Sequence, residues 1–286
     1  MTHTDESPQN QVLVIDKAVR LLEEFRSADT LTLTDLSERL GMSKSTVHRL
    51  LSSLEQVGFV SKERQPGCYR LGLKLFELGS LVQARLELRQ IAHPYLAQLV
   101  HDTDETSFLM IRDGLHGVCI ERIDGSYVQS LVLKIGGSLP LYAGGGTRCL
   151  LAYSPPEVLD EVLASGPLKA FTPYTIINGV ALRADVEQTR YQGYTLSYQD
   201  VTIGVAALGV PVFDHRNMAV GALSLSGITP RWTEAHMAEV LAAVRKAAQQ
   251  ISLKMGWQPP ASTDSAPLAT GVSRMTSALR RMDTRT

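Results

Sequence analysis

Three cysteines in 286 residues are too few and too scattered to organise a fold. Cys68, Cys119 and Cys149 form no CxxC pair and no metal-ligand spacing. That argues against a disulfide framework or a zinc module and suits a reducing cytoplasm. Each is expected to be an inert, buried thiol. Long apolar runs are missing too. No stretch of about 18 unbroken apolar residues occurs, so no membrane span is expected. Met1 to Asn10 is polar and lacks the apolar core of a signal peptide. Neither sign of charge dominates, the net being −1. Enzyme signatures are absent as well: no HExxH, no GxSxG and no SxxK. The glycines at 144 to 146 run into Thr147-Arg148, not into the Gly-Lys-Thr of a phosphate-binding loop. The seven histidines are dispersed. His93, His116 and His215 read as turn or surface residues. No catalytic residue, metal site or cofactor is expected.

What is present begins between Leu31 and Leu73. Leu33 to Leu40 has apolar residues at helical spacing, and Gly41-Met42-Ser43 breaks it. Gly41 suits the left-handed position that closes a helix, and Ser43 suits the N-cap of the next. The second helix places Val47, Leu50, Leu51, Leu54 and Val57 on one face. Its opposite face holds Ser45, Thr46, Arg49, Ser52 and Ser53, with Lys44 and His48 at the margins. A merely solvated face usually mixes Glu with Lys. This one carries no acid before Glu55, and short polar and basic side chains can reach phosphates and base edges in a major groove. A hairpin follows: Phe59 to Lys62 and Cys68 to Leu71 around Gln65-Pro66-Gly67. The pattern predicts a winged helix-turn-helix. Its candidate DNA contacts are Ser43, Lys44, Ser45, Thr46, His48 and Arg49 in the helix, and Lys62, Arg64 and Arg70 in the wing. From Asp35 to Arg70, six basic residues face four acidic ones, a net of +2. So modest a charge calls for more than one copy of the reader on the DNA.

Val12 to Ser27 reads as an amphipathic helix with Val14, Ala18, Leu21, Leu22 and Phe25 on one face. Leu73 to Leu86 reads as a linker helix, with Leu75, Leu78 and Val82 as a pairing surface. Ile91 to Val100 continues helically, with Pro94 in its first turn. The period then changes. Ser107 to Ile111, Gly117 to Ile123 and Val128 to Ile135 read as strands. Ala143 to Tyr153, Pro155 to Ser165 and Leu182 to Gln192 read as helices. Val205 to Phe213 and Ala219 to Ser226 read as a strand pair, and Thr233 to Met255 as a long closing helix. The expected organisation is a DNA reader over 10–73, a linker over 74–90, a mostly antiparallel α+β domain over 91–257, and a disordered tail over 258–286.

The second domain is larger than a DNA reader needs, and its residues suggest a ligand. Gly144, Gly145 and Gly146 bring bare N–H groups to a helix start, which favours anions. Leu139 to Tyr142 can wall a cavity. Ser224 and Ser226 alternate with leucines, so both hydroxyls face one side of the last strand. Together they form a site for a small carboxylate. Tight packing by the glycines and ordinary strand serines remain the alternative.

Three stretches carry a resemblance: Ser43-Lys44-Ser45-Thr46-Val47-His48-Arg49-Leu50-Leu51, Pro140-Leu141-Tyr142-Ala143, and the run from Gly204-Val205 through Pro211-Val212-Phe213-Asp214 to Gly221-Ala222-Leu223-Ser224-Leu225-Ser226-Gly227. They resemble the IclR family of bacterial transcription regulators over roughly Val12 to Gly256. The resemblance implies a winged helix, a linker helix and a GAF-like effector domain. It implies dimers that often pair into tetramers, with small organic acids as effectors. Carried over, the pocket positions are Leu139, Gly145, Gly146, Ser197, Ala207, Ser224 and Ser226. Family members can have an acid at Ser197, a cysteine at Ala207 and a side chain at Gly146, and often a Lys at Arg148. Smaller groups at three pocket positions imply a roomier cup, suited to an aromatic or longer-chain acid over glyoxylate. The expected function is a cytoplasmic regulator that binds a double-stranded DNA operator as a dimer or tetramer under control of such an acid. The alternatives are an enzyme with an appended DNA reader and an architectural DNA-binding protein without a ligand.

Overall fold

The computed structural model describes residues 8–63, 67–84, 87–127 and 133–259. The chain divides into two compact units between Leu86 and Glu87. The N-terminal unit runs α1 (Pro8–Glu24), β1 (Leu31–Thr32), α2 (Leu33–Leu40), α3 (Lys44–Gln56), β2 (Val60–Lys62), β3 (Cys68–Leu71) and α4 (Leu73–Ala84). Its core joins Leu21 and Phe25 of α1 to Leu36, Leu40, Val47, Leu50, Leu51 and Leu54, with Val60 and Tyr69 from the wing. These are the expected apolar faces, with two exceptions. Val14 and Val57 are both 56% exposed. Val14 lies a full turn before the part of α1 that packs, and Val57 has already left α3 as its C-cap.

Local chemistry fixes the two turns. The Thr32 hydroxyl accepts the Asp35 N–H, and Asp35 accepts the Thr32 N–H at 2.9 Å, a reciprocal cap at the start of α2. Gly41, at φ +62°, closes α2 in the left-handed region as expected. Ser43 caps α3 by accepting the Thr46 N–H. The wing pairs Val60–Lys62 with Cys68–Leu71, and β1 adds a third strand beside β3 that the sequence pattern did not reveal. The expected turn at Gln65-Pro66 and the wing residue Arg64 lie outside the described residues.

The second unit runs α5 (Glu87–Thr103), β4 (Thr106–Asp113), β5 (His116–Ile123), β6 (Ser138–Pro140), α6 (Gly145–Ala152), α7 (Pro156–Ala164), α8 (Gly179–Gln192), β7 (Thr195–Tyr198), β8 (Val205–Phe213), β9 (Ala219–Ile228) and α9 (Glu234–Lys254). Six antiparallel strands lie in the order β6-β5-β4-β9-β8-β7. Helices α5 and α9 pack on one face, and α6 packs on the other with α8 against it. Strand β8 is buried through Ala206–Val212, as a strand covered on both sides must be.

Three expectations change. Pro94 lies two turns inside α5, because that helix starts at Glu87, four residues earlier than expected. The strand expected at Val128 to Ile135 falls mostly outside the described residues. Its described end is not strand: Gly136 and Gly137 turn there and exchange backbone bonds with Cys119 at 2.8 and 2.9 Å. The edge strand is instead Ser138–Pro140. Strand β7, with Ser197 on it, was not expected from the pattern. All three thiols are buried, and desolvation pushes Cys119 up to about 12.

The α2 cap makes a testable contribution. Thr32→Ala should cost about 1 kcal/mol, read as a shifted urea midpoint for the N-terminal unit. Hydrogen bonds from the Thr32 hydroxyl and N–H hold the Asp35 carboxyl below its ordinary value. Its stabilisation is therefore complete above the ordinary pKa of about 3.9 and fades as pH falls through the lower folded value. Thermal melts of Asp35→Asn should lose this component of acid sensitivity.

Candidate functional site

On the N-terminal unit, α3 sets its apolar face into the core, which leaves the other face in solvent. Ser43, Lys44, Ser45, His48 and Arg49 are exposed and Thr46 is half-buried. Ser43 uses its hydroxyl as the cap and holds the hydroxyls of Ser45 and Thr46 at 3.0 and 2.9 Å. The start of α3 is thus a pre-ordered cluster of three hydroxyls. Lys44, His48 and Arg49 have no ion-pair partner among the described residues. The wing differs. Lys62 pairs with Glu55 at 2.8 Å and Arg70 with Glu63 at 2.9 Å. Both are exposed pairs of small net strength, so a phosphate can exchange for the acid. Between α3 and the described wing residues, the cations without an ion-pair partner are those of α3.

In the second unit, the pleat and register build a floor. Ser197, Ala207 and Ser226 are cross-strand neighbours on β7, β8 and β9, and Gly209 and Ser224 form the next row. Over this floor lies the start of α6. A Cβ on Gly209 would overlap the Gly145 carbonyl, and one on Gly145 would lie 3.1 Å from the Ala207 backbone. Backbone meets backbone there, so both positions need glycine. Gly144, at φ +93°, turns the chain into the helix. Beneath is a cavity of about 60 Å³ walled by Phe108, Met110, Leu133, Leu139, Val201 and Val205. One water needs roughly 10–15 Å³. Leu139, Gly144, Gly145, Gly146, Ser197, Ala207, Ser224 and Ser226 all line this space. Ser224 and Ser226 are 5% and 7% exposed, and their hydroxyls have no hydrogen-bond partner among the described residues. The N–H groups of Gly145 and Gly146 are likewise open.

Two details depart from the expectation. Gly144 does not offer a bare N–H, because Asp200 accepts it at 3.0 Å. The missing side chain at Gly146 does not enlarge the cup either. A Cβ there would lie 2.9 Å from Met110 Cγ and 3.2 Å from Ser224 Cβ, so those groups already fill the space.

Sequence reasoning missed Asp200 altogether. It lines the cavity at 2% exposure. Its Oδ2 accepts from Gly144 and, at 3.0 Å, from Arg148, while its Oδ1 accepts the Ser197 hydroxyl. Arg148 also makes a two-pronged pair with Asp185 on α8. Burial opposes the charge on Arg148, but the carboxylates of Asp185 and Asp200 outweigh it and raise the guanidinium above its ordinary value. Arg148 therefore points inward and is neutralised by acids, leaving it no charge to spend on a ligand. Among the described residues no group of His, Cys, Asp and Glu is placed to hold a metal ion, and no helix is long and apolar enough to cross a membrane.

Removing Arg148 strands two acids. Arg148→Ala should cost about 3–5 kcal/mol, the usual penalty for leaving a buried charge unpaired. Both tryptophans, Trp232 and Trp257, lie in this unit. Their fluorescence during denaturant unfolding reads the loss directly. Arg148→Lys should recover only part of it, because an ammonium cannot reproduce the forked contact.

Comparison with known proteins places both units. Residues 14–64 match the IclR helix-turn-helix domain, and residues 81–253 match the bacterial transcriptional regulator IclR C-terminal domain. The HTH-type transcriptional regulator KipR of Bacillus subtilis is 35% identical over 87% of this chain and 99% of its own. The transcriptional repressor IclR of Escherichia coli is 30% identical over 86% and 91%. An IclR homolog from Microbacterium hydrocarbonoxydans, solved in complex with 4-hydroxybenzoate, superposes with a TM-score of 0.73. It is 27% identical and covers 85% of this chain and 98% of that one. With the polar face of α3 exposed in one unit, a lined cavity in the other and both family domains matched, the chain belongs to the IclR family of DNA-binding transcriptional regulators.

Proposed function

We propose that a small organic acid bound in the cavity under α6 controls this regulator. The observation that carries the reading is that Ser224 and Ser226, which make no side-chain hydrogen bond among the described residues, line the cavity beside the open N–H groups of Gly145 and Gly146. A carboxylate leaves water only where several donors replace its hydration. Four such donors converge here within apolar walls, and the start of α6 adds the favourable end of the helix dipole. The apolar walls suit the hydrocarbon part of an organic acid. The 4-hydroxybenzoate bound by the Microbacterium homolog is an acid of that kind. Control requires that the acid bind one functional state more tightly than the other.

The DNA contacts belong to the polar face of α3, with Arg49 the principal side chain and Lys44, Ser45, Thr46 and His48 around it. Lys62 and Arg70 serve the backbone from the wing. A second copy of the chain completes the reader. The net charge of +2 supports few phosphate contacts per copy, and of the expected pairing face on α4 Leu78 is exposed and Leu75 half-buried.

Two experiments test this reading. Arg49→Ala should cost about 1–3 kcal/mol of operator affinity by gel-shift titration, on a complex that sediments with at least two protein copies. Equal affinity, or a monomer on the operator, contradicts the assignment. Ser224→Ala should weaken the acid by about 1–3 kcal/mol in calorimetry, the cost of one lost bond to a charge. Gly146→Leu, driven against Met110 and Ser224, should abolish the response while operator binding persists. Unchanged acid affinity in both variants places the site elsewhere.

A further inference from the structure

We infer that the arginine-bearing segment 272–282, near the end of the chain, docks as a helix on the outer face of α8 and over the groove at that helix's start. The inference is independent of the acid-binding reading.

The docking face is a row along one helix. Val180, Ala184, Glu187 and Tyr191 follow one another at i, i+4, i+7 and i+11 on α8, and all four are exposed. Val180 and Tyr191, at the two ends of the row, are each 79% exposed. At the Val180 end the row runs into a groove of about 430 Å³ whose apolar walls are Leu163, Leu168, Ile177 and Val180. Single exposed apolar residues are ordinary. A row of them that ends in an apolar groove fits a second helix laid lengthwise.

The occupant follows from where the chain goes next. The match to the family's C-terminal domain ends at residue 253, and the chain continues to Thr286. Within that extension Val272, Met275, Leu279 and Met282 stand at i, i+3, i+7 and i+10, one apolar face if the segment is helical. Arg274, Arg280 and Arg281 fall outside that face, and no acid lies between Val272 and Met282. The surface beside the α8 row has the opposite charge. Glu157 and Glu161 on α7 and Glu187 on α8 are exposed and have no ion-pair partner among the described residues. The basic segment therefore meets an acidic border around an apolar stripe.

The path is short enough. Trp257 stacks on Phe213 at 5.8 Å, and Phe213 meets Tyr153 edge-on at 5.5 Å. Tyr153 caps the end of α6, where Arg190 in the last turn of α8 donates to the Ala152 carbonyl. The chain thus leaves the described unit beside the C-terminal end of α8. That helix is about 21 Å long, and the residues between Pro259 and Val272 can span about 40 Å. A segment this short does not hold a helix alone. Tethered, it faces α8 at an effective concentration on the order of millimolar, so a weak contact is enough to order it.

The test uses the full-length protein and thiol chemistry. All three native cysteines are buried, so a thiol added at the surface is the reactive one. Maleimide labelling of Ala184→Cys should become about tenfold faster when Met275→Asp and Leu279→Asp are added, because the cover is lost. Asp113→Cys, exposed at the end of β4, should label equally with and without those two changes. The aspartates lie outside both described cores, so neither unit is put at risk. A short bismaleimide added to Ala184→Cys/Leu279→Cys should join the two thiols within one chain. Labelling at position 184 that ignores the aspartates overturns the inference. So does a cross-linked product of two chains' mass, since a second copy then takes this face, and so does the lack of any single-chain product.

Discussion

The approach of α6 to β8, backbone against backbone, is the constraint on which the second unit depends. Gly209 has no Cβ because the Gly145 carbonyl occupies its place, and Gly145 in turn rests on Ala207. No other residue pair permits that distance. Once α6 sits so low, its first N–H groups open onto the sheet rather than onto solvent, and a cavity forms between them and the serines of β9. The same depth buries Arg148 one turn along. A buried guanidinium must be paired, and it takes Asp185 from α8 and Asp200 from the segment after β7. The glycines are thus the packing device, and in the function proposed above the binding device as well.

The two functional surfaces use opposite strategies. In the proposed function the α3 face works in solvent, where charge acts at a distance and salt weakens it. Its hydroxyl cluster at Ser43, Ser45 and Thr46 is ordered before any partner arrives, which lowers the entropy lost on binding. The cavity works out of water, where single groups decide the outcome. There an unmatched hydroxyl or carboxylate oxygen is expensive.

The legible parts of the chain are those whose signal is local. Helix α3 and the wing were readable because Val47, Leu50, Leu51 and Leu54 repeat at helical spacing and Gly41 and Ser43 mark the turn. Ser224 and Ser226 were readable as one face because strand alternation is strict. Strands β1 and β7 were not, since two and four residues carry too little pattern. Asp200 was invisible for a different reason. Its partners Gly144 and Arg148 lie 56 and 52 residues away, and nothing near Asp200 announces them. The space beside Gly146 was misjudged likewise, because Met110 fills it from a different strand. Long-range packing decides cavity shape, and a pattern of spacings does not contain it.

The central claim is that the start of α6 and the serines of β9 form an acid-binding site. The most direct measurement is a crystal structure of the protein with the acid that most raises its melting temperature. The account predicts the ligand carboxylate within hydrogen-bond distance of the Gly145 and Gly146 N–H groups and of at least one of the Ser224 and Ser226 hydroxyls. An acid bound elsewhere on the molecule, with this cavity holding only water, would contradict it.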